Sequence, residues 1–391
     1  PATGGDAVLF VMNFRPNLGF AWTFIERLYA QIADHLSTHG VRTLVAYPEM
    51  SGTPPALAGS AAQAIALDVE LKTPQSLREF KEVIRREHVG VVYLVDRDVR
   101  SMAYLRLHLA GVKHIVVHDH TSGERTRPRG LKRLLKWSLA RLPLINADFV
   151  VAVSRYVERR QLDVGMVPPG EVVTVLNGVP IPQTLSAGGS DVRGRYNIGA
   201  ERPIVLCACR ATPEKGVDVL FRAFDRMLSR QQFPANARPV LLYAGNGPQF
   251  AELETLRGSL AASADIILAG YSTEVGAMSQ TAAICVIPSI WQEACPLSVL
   301  ESMAQGKAVI ASAVGGIPEM ITSGRNGILV AAGDDTGLAA AMAELLSDPK
   351  KRRDLGAAAR ETIATVFTPQ QQLQKMIAII ESRLGLPNPC A

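Results

Sequence analysis

The sequence predicts an α/β protein made of two doubly wound domains, and three observations carry that reading. Short Val/Ile/Leu-rich runs alternate with amphipathic helical stretches along the chain, the pattern of parallel strands covered on both faces. A proline-, glycine- and serine-rich stretch, VPIPQTLSAGGSD (179–191), interrupts the alternation, which then starts again; such a stretch reads as an exposed linker. The length of 391 residues suits two domains at ~100–200 residues each. The domains are placed at 1–183 and 184–368, and a terminal helical stretch, 369–391, is expected to cross back to the first domain.

In chain order, AVLFVMNF (7–14) reads as a buried parallel strand. A helix follows from Ala21 to Gly40, with Phe24, Ile25, Leu28, Ile32 and Leu36 on one face and Gly40 as its terminator;. VRTLVAYP (41–48) is a strand, 51–62 a loop, 75–88 a helix and VGVVYLV (89–95) a strand. Strands KHIVVH (113–118), DFVVAVS (148–154) and VVTVLN (172–177) complete the first half. Beyond the linker, strands PIVLCAC, PVLLYAG, DIILAG, AICVIP and AVIAS alternate with helices at 216–230, 248–262, 273–282, 296–305 and 335–347. The last helix spans 369–384. Ligands in open α/β sheets bind outside the carboxyl ends of the strands, so two such domains are expected to face each other across a ligand-binding cleft.

Composition narrows the class. Apolar residues make up 48% and charged residues 20%, as in a globular protein that needs no disulfide or metal to fold;. No apolar run approaches the ~18 residues that span a bilayer, and Pro1 to Asp6 lack the basic-then-apolar pattern of a leader;. The net charge of +5 falls on one side: residues 1–183 carry 22 Lys and Arg against 17 Asp and Glu, and the remainder is balanced at 19 each. Five cysteines without framework spacing suggest a reducing, cytoplasmic setting;. Cys207 and Cys209, two apart on a strand, read as packing residues on one face.

Chemistry concentrates in IPSIWQEACPLSVLESMAQGKAVIASAVGGIPEMI (287–321). An irregular stretch after a strand carries Glu293, and Pro296 opens a helix, where its missing N–H costs nothing. The amides of Leu297 and Ser298 are then unpaired donors at a helix N-terminus, a ready anion site. Glu301 lies further along the same helix, and two carboxylates can each take a pair of sugar hydroxyls. Gly315-Gly316 lets backbone approach a ligand closely. In CRATPEKGVDVL (209–220), Arg210 at a strand end and Lys215 in the following turn place two cations suited to a diphosphate, or a solvated pair at a turn;. Gly245-Asn246-Gly247-Pro248 reads as a tight turn or a weaker ligand loop.

Together these residues resemble the retaining glycosyltransferases of the GT-B fold, in particular glycosyltransferase family 4, also called group 1. The family's pair of glutamates eight apart matches Glu293 and Glu301, within Pro288-Ser289 and LESMAQGKAVIASAVGGIPE; its Arg and Lys match Arg210 and Lys215 in RATPEKG. ADFVVAVS (147–154), Asn177-Gly178-Val179 and Gly245-Asn246-Gly247-Pro248 match in the same order. The resemblance implies a retaining, metal-independent hexosyltransferase without cofactor. Its substrate would be a nucleotide-sugar donor, a UDP-sugar first and GDP-mannose second. Arg210 and Lys215 would neutralise the diphosphate, Glu301 would bind the ribose, and Glu293 would hold sugar hydroxyls. Leu297 and Ser298 amides would meet phosphate or sugar, His118 would face the transferred sugar, and Gly19 would approach the diphosphate. Two departures stand out: Leu18-Gly19 where the family often has Gly-Gly, and Cys295-Pro296 where it often has Phe-Gly. The proline offers no N–H to a sugar, and Cys295 is the thiol expected near the ligand.

The basic stretch RTRPRGLKRLLKWSLARL (125–142) has apolar residues at 131, 134, 135, 139 and 142. It reads as an interfacial helix for anionic lipid or a lipid-linked acceptor, or as a helix packing that stripe on its own domain. Lys132, Arg133, Lys136 and Trp137 lie off the stripe, and Arg125, Arg127 and Arg129 are candidates for an acidic acceptor. His114, His118 and His120 share a strand face, but zinc needs three or four convergent ligands, so they read as sugar-contacting or structural, with Asp119 and His120 orienting His118 or the acceptor. Nothing resembles a nucleic-acid-binding module. The expected enzyme acts on a carbohydrate, lipid-linked or anionic acceptor in polysaccharide or glycoconjugate synthesis, in the cytoplasm or at the inner membrane face. The rival readings are a GT-B synthase or phosphorylase on a soluble sugar or sugar phosphate, and a non-catalytic sugar-nucleotide-binding protein.

Overall fold

The computed structural model describes residues 7–16, 20–50, 52–68, 70, 73–182 and 191–386, with the backbone alone at 20 and 21. Gly19, Cys390 and most of the linker lie outside the described residues. The chain divides into two units at Leu176/Asn177; residues 370–386 group with the first unit, and Ser122–Glu124 with the second.

The first unit holds a seven-stranded sheet: β1 (Ala7–Val11), β2 (Arg42–Tyr47), β3 (Ala62–Ala66), β4 (Val89–Val95), β5 (His114–Asp119), β6 (Phe149–Ala152) and β7 (Val172–Thr174). Its order is β3-β2-β1-β4-β5-β6-β7, and every pairing is parallel. All of β1 and β4 is buried, which is what a central parallel strand covered on both faces requires. Val8, Phe10 and Met12 pack with Tyr29 and Ile32 of the helix Phe20–Ser37 and with Tyr93. Met376 and Ile380 of the terminal helix Pro369–Leu384 join the same core. Buried Glu381 of that helix meets His35 Nε2 at 2.8 Å.

The second unit repeats the plan with β8 (Ile204–Ala208), β9 (Val240–Ala244), β10 (Ile266–Gly270), β11 (Ile284–Ile287), β12 (Ala308–Ser312) and β13 (Ile328–Val330). The order is β10-β9-β8-β11-β12-β13, again all parallel. In each sheet the strand order reverses once, between β1 and β4 and between β8 and β11, and the loops leaving that point form the natural ligand crevice. Phe221 and Phe224 of the helix Val217–Arg230 pack against Tyr243 and Met342 in the core beneath.

Four elements carry little sequence signal: β3, β13 and the helices Met102–His108 and Pro349–Thr365. The last buries only Leu355, Gly356, Ala359 and Ile363, a narrow stripe masked by the charge run Lys350–Asp354. Among the described residues, no helix is long and apolar enough to cross a membrane.

Candidate functional site

In the second unit, neighbouring β8 and β11 launch the two loops that carry the predicted residues. The β8 loop leads through Arg210 into a turn at Pro213–Lys215 and then Gly216, whose φ of +62° caps that turn. The β11 loop runs from Pro288 to Pro296 into the helix Leu297–Ala304. Backbone bonds tie the loops together, with Ile290 N donating to Glu214 O at 2.9 Å.

This clamp sets Lys215 against Glu293. Lys215 Nζ donates to Glu293 Oε1 at 2.5 Å, and Ser289 Oγ donates to the same oxygen at 2.7 Å. Glu293 is 5% exposed, so its charge has these partners in place of water. Ser122, grouped with this unit, points Oγ at Glu293 Oε2 from 3.4 Å. Behind the carboxylate, Gly316 N donates to Glu293 O at 2.8 Å and Gly315 N to the amide oxygen Oε1 of Gln292 at 2.6 Å. Gly315 has φ +56°, and a Cβ there would stand 2.0 Å from Glu293 O, so only glycine lets this turn close on the loop.

Arg210 is exposed, and its guanidinium has no hydrogen-bond or ion-pair partner among the described residues. The helix Leu297–Ala304 begins without a side-chain cap, so the Leu297 and Ser298 amides remain open donors at the positive end of the helix dipole. Glu301 follows them by three and four residues, on the same helix face. Its Oε1 is buried without any hydrogen-bond partner, and burial pushes its carboxyl up to about 7. A buried acceptor without a donor is costly unless a ligand supplies one. Cys295 is a free thiol bonded to Asn177, and burial pushes it up to about 12. It is therefore no thiolate near neutral pH. Asn246 O holds Ala211 N at 2.9 Å, so the 245–248 turn supports the β8 loop.

The first unit places the remaining predicted residues. His118 is fully buried in β5, and neither ring nitrogen has a hydrogen-bond partner. Burial, then the neighbouring His120, pushes its pKa well down. The rings of His118 and His120 lie 4.0 Å apart, and burial lowers His120 to about 4. Asp119 does not orient His118: it accepts from Arg160 at 2.8 Å, from Gln161 at 2.5 Å and from Thr121 Oγ1 at 2.6 Å. Successive strand residues point to opposite faces, which separates the two side chains. His114, His118 and His120 form no metal-like group; among the described residues, the group with ligand atoms within 4.8 Å of one another is His35, His39 and Glu381.

The basic stretch corrects one expectation. The helix Gly130–Leu139 buries none of its residues, so its stripe does not pack on its own domain. Leu131 is 80% exposed, Leu134 and Leu135 more than half, and Trp137 nearly half. Arg141 stacks over Trp137 at 3.8 Å, and Arg127 pairs with Asp163 at 2.5 Å. Arg125, Arg129, Lys132 and Arg133 are exposed, and Lys136 is half-buried.

Two parallel, doubly wound sheets of this order are those of the GT-B fold. Residues 190–362 match the family described as Glycosyl transferases group 1, and residues 25–182 match Glycosyltransferase Family 4. The chain belongs to these glycosyltransferases. It is 31% identical over 288 residues to the alpha-maltose-1-phosphate synthase of Mycolicibacterium smegmatis, covering 67% of this chain and 72% of that one. It is 28% identical over 268 residues to the GDP-mannose-dependent alpha-(1-6)-phosphatidylinositol monomannoside mannosyltransferase of the same organism, covering 64% of this chain. That match spans 65% of the mannosyltransferase, just under two thirds of its length. The N-acetyl-alpha-D-glucosaminyl L-malate synthase of Bacillus anthracis is 26% identical over 287 residues, 73% of each chain. Among solved structures, a glycosyltransferase from Rickettsia africae ESF-5 matches with TM-score 0.80 at 20% identity, covering 97% of this chain and 99% of that one. Anabaena Alr3699/HepE in complex with UDP matches with TM-score 0.74 at 17% identity, covering 96% and 100%. At such identities these likenesses show the fold.

Proposed function

We propose that the chain transfers a hexose from a nucleotide-diphosphate sugar to an acceptor, with retention of configuration. The observation that carries the proposal is Glu301, half-buried, with its Oε1 buried and without a donor, set one turn behind the open amides of Leu297 and Ser298. A ribose supplies two hydroxyl donors for the carboxylate, and a diphosphate supplies the anion for the amides. Arg210 takes the diphosphate as a free guanidinium. Lys215 shares its charge between Glu293 and the leaving group;. Glu293, fixed by Lys215 and Ser289, holds hydroxyls of the transferred sugar. His118, with two unsatisfied ring nitrogens, is the first unit's candidate sugar contact. In the step itself the acceptor oxygen bonds to the anomeric carbon while the carbon–phosphate oxygen bond breaks on the same face. The acceptor proton passes to the departing diphosphate. Arg210, Lys215 and the helix amides balance the charge that develops, and no metal or cofactor is assigned a part.

UDP-sugars and GDP-mannose are the donors to separate first; the names of the relatives include GDP-mannose-dependent enzymes, and one structural neighbour holds UDP. The exposed leucines beside Lys132 and Arg133 support peripheral contact with an anionic membrane;. A second reading, a synthase acting on a soluble small acceptor, is favoured by the relatives named for alpha-maltose-1-phosphate and for L-malate. A thermal-shift panel of UDP, GDP, ADP and TDP and their sugars tests the donor. A ligand at 100 times its dissociation constant adds ~2.7 kcal/mol of stability. No response to any nucleotide would overturn the proposal.

A further inference from the structure

We propose that the first unit carries a binding site for the phosphate group of a phosphorylated acceptor, in the cavity where Arg97, Arg100, Arg125 and Lys136 converge. The inference deepens the reading of this unit as the acceptor side and rests on it. The cavity, of about 190 Å³, opens at the carboxyl ends of β4 and β5, on the ligand side of the sheet;. At ~30 Å³ per water, it has room for a small oxyanion and its hydration. Its cations come from separate elements: Arg97 and Arg100 from the loop after β4, Arg125 from the loop after β5, and Lys136 from the helix Gly130–Leu139.

Charge balance argues for an anion. Arg160, which also lines the cavity, is already neutralised by buried Asp119 at 2.8 Å. Arg100 holds only the neutral amide oxygen of Asn146, at 2.8 Å. Lys136 has no hydrogen-bond or ion-pair partner among the described residues. Burial, then Arg100, Lys132 and Arg125 as like charges, pushes its ammonium down. Arg97 is already paired with Glu70 at 3.2 Å, and Arg125 reaches the neutral hydroxyl of Thr121 at 3.3 Å. Asp96 and Asp98 are the lining carboxylates left to face Arg100, Arg125 and Lys136. Asp98 is exposed. Burial pushes Asp96 up to about 7, so it carries only part of a charge near neutral pH. Cations arriving from several directions fit a tetrahedral oxyanion with three or more acceptor oxygens; a planar carboxylate is satisfied by one guanidinium fork. The phosphate can come from a soluble phosphorylated sugar or polyol, or from a lipid headgroup.

The test titrates the full chain with glycerol 3-phosphate by calorimetry, and in parallel sediments it with phosphatidylglycerol–phosphatidylcholine vesicles against phosphatidylcholine alone. Lys136→Gln should weaken binding about tenfold, the cost of one charge-assisted hydrogen bond, and Lys136→Gln with Arg100→Gln should remove it. Lys132→Gln, on the same helix but outside the cavity, should change it less than twofold. Arg210→Ala, in the second unit, should leave it in place. Binding of glycerol 3-phosphate with this pattern assigns a soluble source, and the same pattern on vesicles alone assigns a headgroup. Absence of binding in both arms overturns the proposal, as do equal effects of Lys132→Gln and Lys136→Gln, or loss in Arg210→Ala alone. Lys136→Gln stands by itself if the doubly substituted chain fails to fold. Nucleotide titration of the same samples keeps the two readings apart: nucleotide binding without phosphate binding sinks this inference and leaves the donor site intact, and the converse result does the opposite.

Discussion

Glu301 makes the proposed donor site measurable through protons. Burial raises its carboxyl from 4.5 to about 7. The folded chain therefore holds this proton more tightly than the unfolded chain does, over the window from about 4.5 to about 7. Stability from this group is fully present below 4.5 and is lost as pH rises through 7. The total is about 3 kcal/mol, from 1.36 kcal/mol per unit. Glu301→Gln keeps the shape and removes the titration. Its stability should lose this slope, so that by pH 8 the variant equals or exceeds the wild type in thermal or urea denaturation.

Nucleotide binding should run the other way. Ribose hydroxyls donate to the carboxylate and favour its ionised form. Binding at pH 6.5 should therefore release about three-quarters of a proton, read by calorimetry in buffers of different ionisation enthalpy. Affinity at pH 6 should be about tenfold weaker than at pH 8. Glu301→Gln should bind weakly and release no proton from this site. Proton uptake on binding, or an unchanged pH dependence in Glu301→Gln, would refute the assignment of Glu301 to the ribose.

Other expectations follow from the same geometry. Lys215→Ala leaves Glu293 buried with only the hydroxyls of Ser289 and Ser122 as side-chain donors and should cost about 2 kcal/mol, since breaking a paired buried charge is expensive and a part-exposed lysine tempers the loss; it should also lower kcat more than it raises KM for donor. Arg210→Ala, on an exposed unpaired side chain, should leave stability within about 0.5 kcal/mol and raise the donor KM, with a shallower salt dependence. Gly315→Ala should displace the Glu293 loop and reduce transfer at least tenfold while the sheet stays folded, as circular dichroism and activity on one sample would tell. Leu131→Ser with Leu134→Ser and Leu135→Ser should leave the melting temperature unchanged and weaken sedimentation with anionic vesicles; undiminished binding would remove the helix from membrane contact.

What the sequence made legible was local. Continuous apolar runs such as AVLFV and VGVVYLV could only be buried parallel strands, and the prolines and glycines around 288–316 marked loops and helix ends within a residue or two. Edges were harder: β3 is half-exposed and β13 three residues long, so neither has the unbroken apolar run that identified the central strands. Pairings between distant segments left no trace. Lys215 and Glu293 are 78 residues apart, and nothing in RATPEKG says that its lysine will meet a carboxylate. Of the cavity cations, Arg125 and Lys136 stood out only through the basic stretch around them, and Arg97 and Arg100 carried no signal until β4 and β5 brought their loops to one sheet end. Periodicity found the helix 130–139, but a periodic apolar stripe is the same whether it faces a core or solvent.

The two cations of the proposed donor site are not interchangeable, and the reason lies in what each touches before any ligand arrives. Arg210 stands exposed and unpaired, so it can meet a diphosphate at little reorganisation cost and contributes mainly to binding. Lys215 is committed to Glu293 at 2.5 Å. A diphosphate must share that ammonium, and sharing becomes more favourable as negative charge accumulates on the leaving group. An interaction that strengthens toward the transition state raises kcat, whereas one made equally in the ground state only lowers KM. The same pair fixes the orientation of Glu293, so in the proposed reading the lysine connects the position of the sugar to the charge of the group it leaves. Glu301, half-protonated near neutral pH, adds little repulsion toward the phosphates until the ribose hydroxyls arrive to stabilise its charge.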